Sequence, residues 1–404
     1  MSLPRVRHAA WPAALIAAAF AFAHVDESYV VPLDHPAVGY ATRPVDDPVS
    51  RLQKRLDRGE VKLDFGDQHG YLAAILKALS VPQESQVLVF SKTSFQAPRI
   101  APRLPRAIYF NDSVSVGWVR GGDVLEFAAV DPRQGVIFYT LDQEETARPR
   151  FDRRDTCLQC HATGATLGVP GLAVRSVYPQ SNGMPIFPAP AYITDHRSPL
   201  KERWGGWYVS GRHGSQRHMG NAVVPNREQP TELETGNTQN QMNLKARFDT
   251  GAYLTPHSDI VALMMLEHQT RLTNLIARLG FEARMGMHDW KPIADEVASY
   301  MTFTGEAMWT EPLEGVSGFA ERFAQSGPRD RRGRSLRDLD LDTRLLRYSF
   351  SYLIYSEAFD ALPPAALDRV YRKLWELLRQ RPAQRQAVVS ILRETKPTLP
   401  AYWQ

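Results

Sequence analysis

The 404 residues contain two cysteines, three positions apart, with a histidine directly after the second: Cys157-Leu158-Gln159-Cys160-His161. Residues three apart on a helix lie about one turn from each other. Both sulfurs can therefore reach one edge of a flat ligand, and the histidine follows on the same side. Such a set can form two thioethers to the vinyl groups of a haem and present an imidazole to its iron. The spacing thus predicts one covalently attached haem c, held at Cys157 and Cys160, with His161 as proximal iron ligand. A zinc site needs four ligands, and no second cysteine pair supplies them. A thiol–disulfide pair shares the Cys-x-x-Cys spacing, but the following histidine and an export leader favour haem.

The second axial ligand separates two chemistries. A strong sixth ligand closes the iron and suits electron transfer, whereas an open position admits peroxide or small molecules. Met219, in Arg217-His218-Met219-Gly220-Asn221, lies fifty-eight residues beyond His161 and is the leading candidate. His218 competes with it. Met184, in Gly183-Met184-Pro185-Ile186-Phe187, and His268, on an apolar helix face with Met264, Leu272 and Leu275, are alternatives. Arg217 is expected to bind a haem propionate, with Arg197 and Arg212 as further options. Asp195, His196 and His213 are acid–base candidates if the iron is open.

The elements that must hold these groups are legible as two periodicities. Residues 86–90, 106–110, 114–118, 124–128 and 135–139 alternate with period two, and Asn111-Asp112, Gly121-Gly122 and Asp131-Pro132 stand between them as turns. An antiparallel meander follows from such short connections. Strand signals return at 173–178 and 207–210, so the cysteine motif interrupts a β-rich region. Helices are expected at 47–58 and 69–79. A longer one runs from a Ser258 or Asp259 cap to Leu279, ended by Gly280. Further helices fit 292–302, 343–360, 365–380 and 384–395. The fold class is α+β: an antiparallel β-rich haem-bearing region, then an α-helical C-terminal region. The expected segments are a signal peptide at 1–23, a meander-containing part at 24–145, a haem region at 146–250 and a helical part at 251–404.

Arg5, Arg7 and His8, the apolar run 9–23 and the Ala21-Phe22-Ala23 cleavage site form an export leader. The mature chain would begin near His24, in the bacterial periplasm or outside the cell. Without Arg5 and Arg7 the formal charge falls from +4 to +2, which implies no nucleic-acid partner. No integral membrane segment is expected after cleavage. The basic run at 329–334 reads as a solvated loop, with docking of an acidic redox partner as the sharper alternative.

Cys157 to His161 resembles the attachment site of c-type cytochromes. Gly168-Val169-Pro170-Gly171-Leu172 extends the likeness to the Gly-Pro-x-Leu element of small cytochromes c, in altered order. There a prolyl carbonyl accepts the proximal histidine N–H, a part the resemblance gives to Pro170. Those cytochromes are small and helical, unlike this chain. The order of strands, motif, Ser176-Val177-Tyr178-Pro179 and Gly183-x-Pro185 is similar to haem-bearing PAS-like sensor domains, which set a c-type haem beside an antiparallel sheet. Dihaem peroxidases need two such motifs. As a whole the chain resembles long secreted monohaem proteins. The expected function is periplasmic electron transfer with a redox partner protein or a small-molecule donor or acceptor. A peroxidase- or oxygenase-like enzyme and a haem-based sensing module are the alternatives.

Overall fold

Alternating side chains build the sheet that carries the motif. In the computed structural model, which describes residues 29–286 and 289–403, the elements run in order. Helices α1 (Pro48–Asp57) and α2 (Leu72–Ala78) come first. Strands β1 (Val87–Val89), β2 (Arg106–Phe110), β3 (Val114–Trp118), β4 (Val124–Asp131), β5 (Gly135–Asp142) and β6 (Asp152–Arg153) follow. Next are the short helix α3 (Leu158–His161), strands β7 (Val174–Ser176), β8 (Tyr192–Thr194) and β9 (Trp207–Tyr208), and helix α4 (Ile260–Met285). Helices α5 (Lys291–Met301), α6 (Phe319–Gln325), α7 (Glu357–Asp360), α8 (Pro364–Arg379) and α9 (Pro382–Thr395) close the chain. The protein is α+β, with most helical residues after Asp259. The expected leader at 1–23 lies outside the described residues. Among the described residues no helix is long and apolar enough to cross a membrane.

Seven strands form one antiparallel sheet in the order β6-β5-β4-β3-β2-β1-β9, and β7 pairs with β8 separately. Register places Val116, Phe127 and Tyr139 side by side, with Tyr109 beyond them. That face is bulky and packs into a core with α1 and α2. The opposite face carries Ser115 beside Ala128 beside Phe138, and Gly117 beside Glu126 beside Thr140. It is low where Ser115, Gly117 and Ala128 lie, with Glu126 and Phe138 rising beside them.

Helix α4 is nearly all buried and joins the second core, formed with α5, α8 and α9. Asp259 caps it, accepting from Val261 N–H at 2.8 Å and Ala262 N–H at 3.2 Å. The helix does not stop at Gly280. It continues to Met285 and ends at Gly286, whose φ of +63° needs no Cβ. Burial of Phe281 rewards continuation past Gly280 and outweighs its weak helix propensity. The helix expected over 343–360 is reduced to a 3₁₀ turn at Tyr352–Tyr355 and the single turn of α7. Asp340 accepts from the backbone N–H groups of Asp342 and Thr343, and Ser356 from that of Phe359, so side chains divert the backbone into turns. Helix α6 and strand β8 had no clear periodic signal.

Candidate functional site

The motif sits on the low face of the sheet. After β6 the chain makes a 3₁₀ turn at Asp155–Cys157 and runs directly into α3, with Cys157 already in helical conformation. The two cysteines therefore stand one turn apart on continuous helical backbone. Both are free thiols; Cys157 is half-buried and Cys160 exposed. Cys157 and Leu158 pack on Ala128, Val136 and Phe138. Beside them Arg106 pairs with Glu126, and the guanidinium lies over Gly117, where any side chain would collide with it. Burial, reinforced by Glu126, pushes the Cys157 thiol up against the opposing pull of Arg154 and Arg106. A raised thiol pKa is the opposite of what a reactive redox thiol needs.

His161 is held by a reciprocal pair of bonds across ten residues. Its Nδ1 lies 3.0 Å from Gly171 O, and Gly171 N–H donates to His161 O at 2.9 Å. A carbonyl only accepts, so Nδ1 carries the proton and Nε2 the lone pair. The ring leans on Phe138, with centroids 4.9 Å apart. Burial holds the imidazole below its ordinary pKa, and the Gly171 carbonyl opposes this. A neutral, Nδ1-protonated imidazole is the form that ligates a metal through Nε2. The acceptor is Gly171, not the Pro170 of the cytochrome resemblance. Pro170 O accepts instead from Val136 N–H of β5 at 2.9 Å, and so stitches the loop to the sheet.

The loop between the partners is fixed from three sides. Gly168 N–H donates to Thr163 O at 2.8 Å, and Gly168 O accepts from Val31 N–H at 2.9 Å. Arg278 of α4 donates to Leu167 O at 3.0 Å.

The expected sixth ligands each have partners of their own within the chain. Met219 accepts from Ser176 Oγ at 3.5 Å and packs on Gly205, just before β9. Ser176 lies five residues beyond Gly171, the partner of His161. His218 shares the Met219 loop; its Nδ1 accepts from Gly220 N–H at 3.0 Å. Met184 lies next to Gly183, whose carbonyl accepts from Lys92 N–H at 2.9 Å beyond β1. Arg217 is exposed on the loop that carries His218.

His268 is fully buried with both ring nitrogens engaged, His196 Nδ1 at 2.9 Å and Ser351 Oγ at 2.8 Å. Burial pushes its pKa down to about 3. Around this pair Arg203 bonds Glu267 at 2.9 Å, and Arg197 bridges Asp195 and Glu296, each at 2.8 Å. His213 donates from Nδ1 to Gln216 O and accepts at Nε2 from Asn240 N–H. His213 and His268 are satisfied within the protein, whereas His196 Nε2 and Glu267 Oε1 are buried without a hydrogen-bond partner. In the basic run Arg329 meets Asp338 at 3.0 Å and Arg334 meets Asp330 at 2.6 Å. Arg212 lies 3.7 Å from Glu314.

Phe138, Arg106, Glu126 and Gly171 were not singled out from the sequence. Their one available signal was the run of small residues on alternate positions of adjoining strands, Ser115, Gly117 and Ala128. The residues present fit haem c by their donor set: two free thiols one turn apart and an imidazole with its lone pair on Nε2. Among the described residues no group of three or more His, Cys, Asp or Glu side chains could hold a bare metal ion. No protein-family model, curated protein or solved structure matches the chain.

Proposed function

We propose that this chain is an exported monohaem c-type redox protein that passes single electrons to and from a partner protein or a small donor or acceptor. The observation that carries the reading is the His161 Nδ1–H bond to Gly171 O, which reserves Nε2 beside two free thiols. When bound, haem c supplies a one-electron iron centre. Each cysteine Sγ would add to one vinyl group, forming a C–S bond while the thiol hydrogen passes to the neighbouring vinyl carbon. His161 Nε2 would meet the iron, and Gly171 O would keep the imidazole in one tautomer and orientation. Exposure of Cys160 supports an attachment edge open to a partner.

A second reading, ligand binding or peroxidase-like chemistry, draws on His268, whose two ring nitrogens are both engaged inside the protein, and on Met219, whose sulfur accepts from Ser176. The test is a ferric and ferrous spectrum of protein produced with a haem-attachment system. A Soret band that survives denaturation is expected in the wild type and lost in Cys157→Ala/Cys160→Ala; its absence from the wild type sinks the proposal. A low-spin spectrum unchanged by cyanide supports electron transfer. Immediate cyanide binding supports the second reading.

A further inference from the structure

The carbonyl that accepts from His161 does not hold itself in place. Gly171 and Leu172 form an irregular stretch before β7, and the residue that fixes them is Asn274, in the middle of α4. Its Oδ1 accepts from Leu172 N–H at 3.2 Å and its Nδ2 donates to Leu172 O at 2.7 Å. One side-chain amide thus clamps both backbone groups of a single residue. Gly171 presses its Cα against the same amide, and any side chain at 171 would collide with Asn274 Oδ1. Asn274 is 1 % exposed and flanked by Leu272 and Leu275, both fully buried, so the clamp is rooted in the helix that anchors the second core.

We propose that Asn274 is the positioning residue for the proximal ligand: it locks the Gly171–Leu172 segment, and so sets the His161 Nδ1–H···O=C bond and the donor strength of Nε2. This rests on the haem reading above. The chemistry is a chain of three contacts: Asn274 amide to Leu172 backbone, the Gly171–Leu172 peptide, and Gly171 O to His161 Nδ1–H. A carbonyl acceptor on Nδ1–H adds electron density to the ring and favours the ferric state. A released segment would let Gly171 O drift, weaken that acceptor and favour the ferrous state.

The test uses the full chain with haem attached, in the wild type, Asn274→Ala, Asn274→Asp and Gln269→Ala. Gln269→Ala is the control. It lies on the same helix and loses two buried bonds, to Asn111 O and Tyr352 Oη, without touching residues 171–172. Equilibrium redox titration should show the ferrous-to-ferric ratio at fixed ambient potential rising about tenfold in Asn274→Ala, a positive shift of about 59 mV for one electron. Asn274→Asp keeps an acceptor for Leu172 N–H but loses the donor to Leu172 O, and its carboxylate favours the ferric state, so its potential should lie below that of Asn274→Ala. Gln269→Ala should stay at the wild-type potential however much stability it loses. Equal shifts in Gln269→Ala and Asn274→Ala, or none in Asn274→Ala, overturn the inference. If neither Asn274 variant folds, exchange of the His161 ring N–H in the ferrous wild type, made diamagnetic by carbon monoxide where its sixth position is open, decides. Slow exchange supports the clamp and free exchange with solvent refutes it. A wild type without covalent haem removes the haem reading itself, an outcome distinct from an unmoved potential.

Discussion

His161 and His268 show how little a residue type says without its hydrogen bonds. Both imidazoles are depressed in pKa by burial, yet one keeps a lone pair in reserve and the other has both nitrogens committed. The sequence separated them only by context, since His161 follows a cysteine pair and His268 lies on an apolar helix face. The structure adds that His268 shares a bond with His196 and rings with Tyr300 and Phe303. A stability effect follows. The unfolded His268 takes a proton near 6.5, and the folded one only near 3. Its folded pKa is depressed, so its contribution is present above 6.5 and lost as pH falls toward 3. Urea midpoints measured across that window should fall with acid in the wild type and fall less steeply in His268→Asn. Parallel profiles would show that His268 does not supply the acid sensitivity.

Helix α4 is the element on which most of the arrangement depends. It carries Asn274 and Arg278 to the motif loop, Gln269 to the β2–β3 turn and His268 to the buried polar cluster. Its N-terminus is held by one side chain. Asp259 receives the Val261 and Ala262 N–H groups and also those of Val316 and Ser317, the latter at 2.6 and 2.9 Å. Asp259→Ala removes a cap and leaves buried donors unmatched, at a cost of about 2–4 kcal/mol. Denaturant unfolding should register this as a lower midpoint with an unchanged slope. A loss under 0.5 kcal/mol, far less than a cap contributes, would mean that water replaces the carboxylate without penalty. The start of α4 was legible because a capping residue preceded an apolar run. Its end was not, because Phe281 is drawn into the core beyond the glycine that normally stops a helix.

At the scale of the whole molecule, period-two alternation disclosed the meander and its turns, and the five-residue motif disclosed the candidate centre. The places where sequence reading stopped have a common cause. Met219, His218 and Met184 were chosen by spacing along the chain, whereas reach across the fold depends on strand order. Met219 meets Ser176 of β7, and His218 accepts from Gly220 in its own loop. Gly171 and Asn274 are a hundred and three positions apart, and nothing local in either stretch announces the other. The bond from Val31 N–H to Gly168 O carries its own lesson. On the exported reading, leader cleavage near His24 leaves the new N-terminus a few residues from a strap on the motif loop. Trimming through Val31 should accordingly lower haem incorporation while the sheet still folds, measurable as a smaller Soret-to-280 nm absorbance ratio at unchanged circular dichroism; an unaltered ratio would show the strap to be dispensable. On that proposed reading, processing of the precursor and maturation of the centre would be physically adjacent events, and a fusion tag at the mature N-terminus would have to leave the Val31–Gly168 strap free to close.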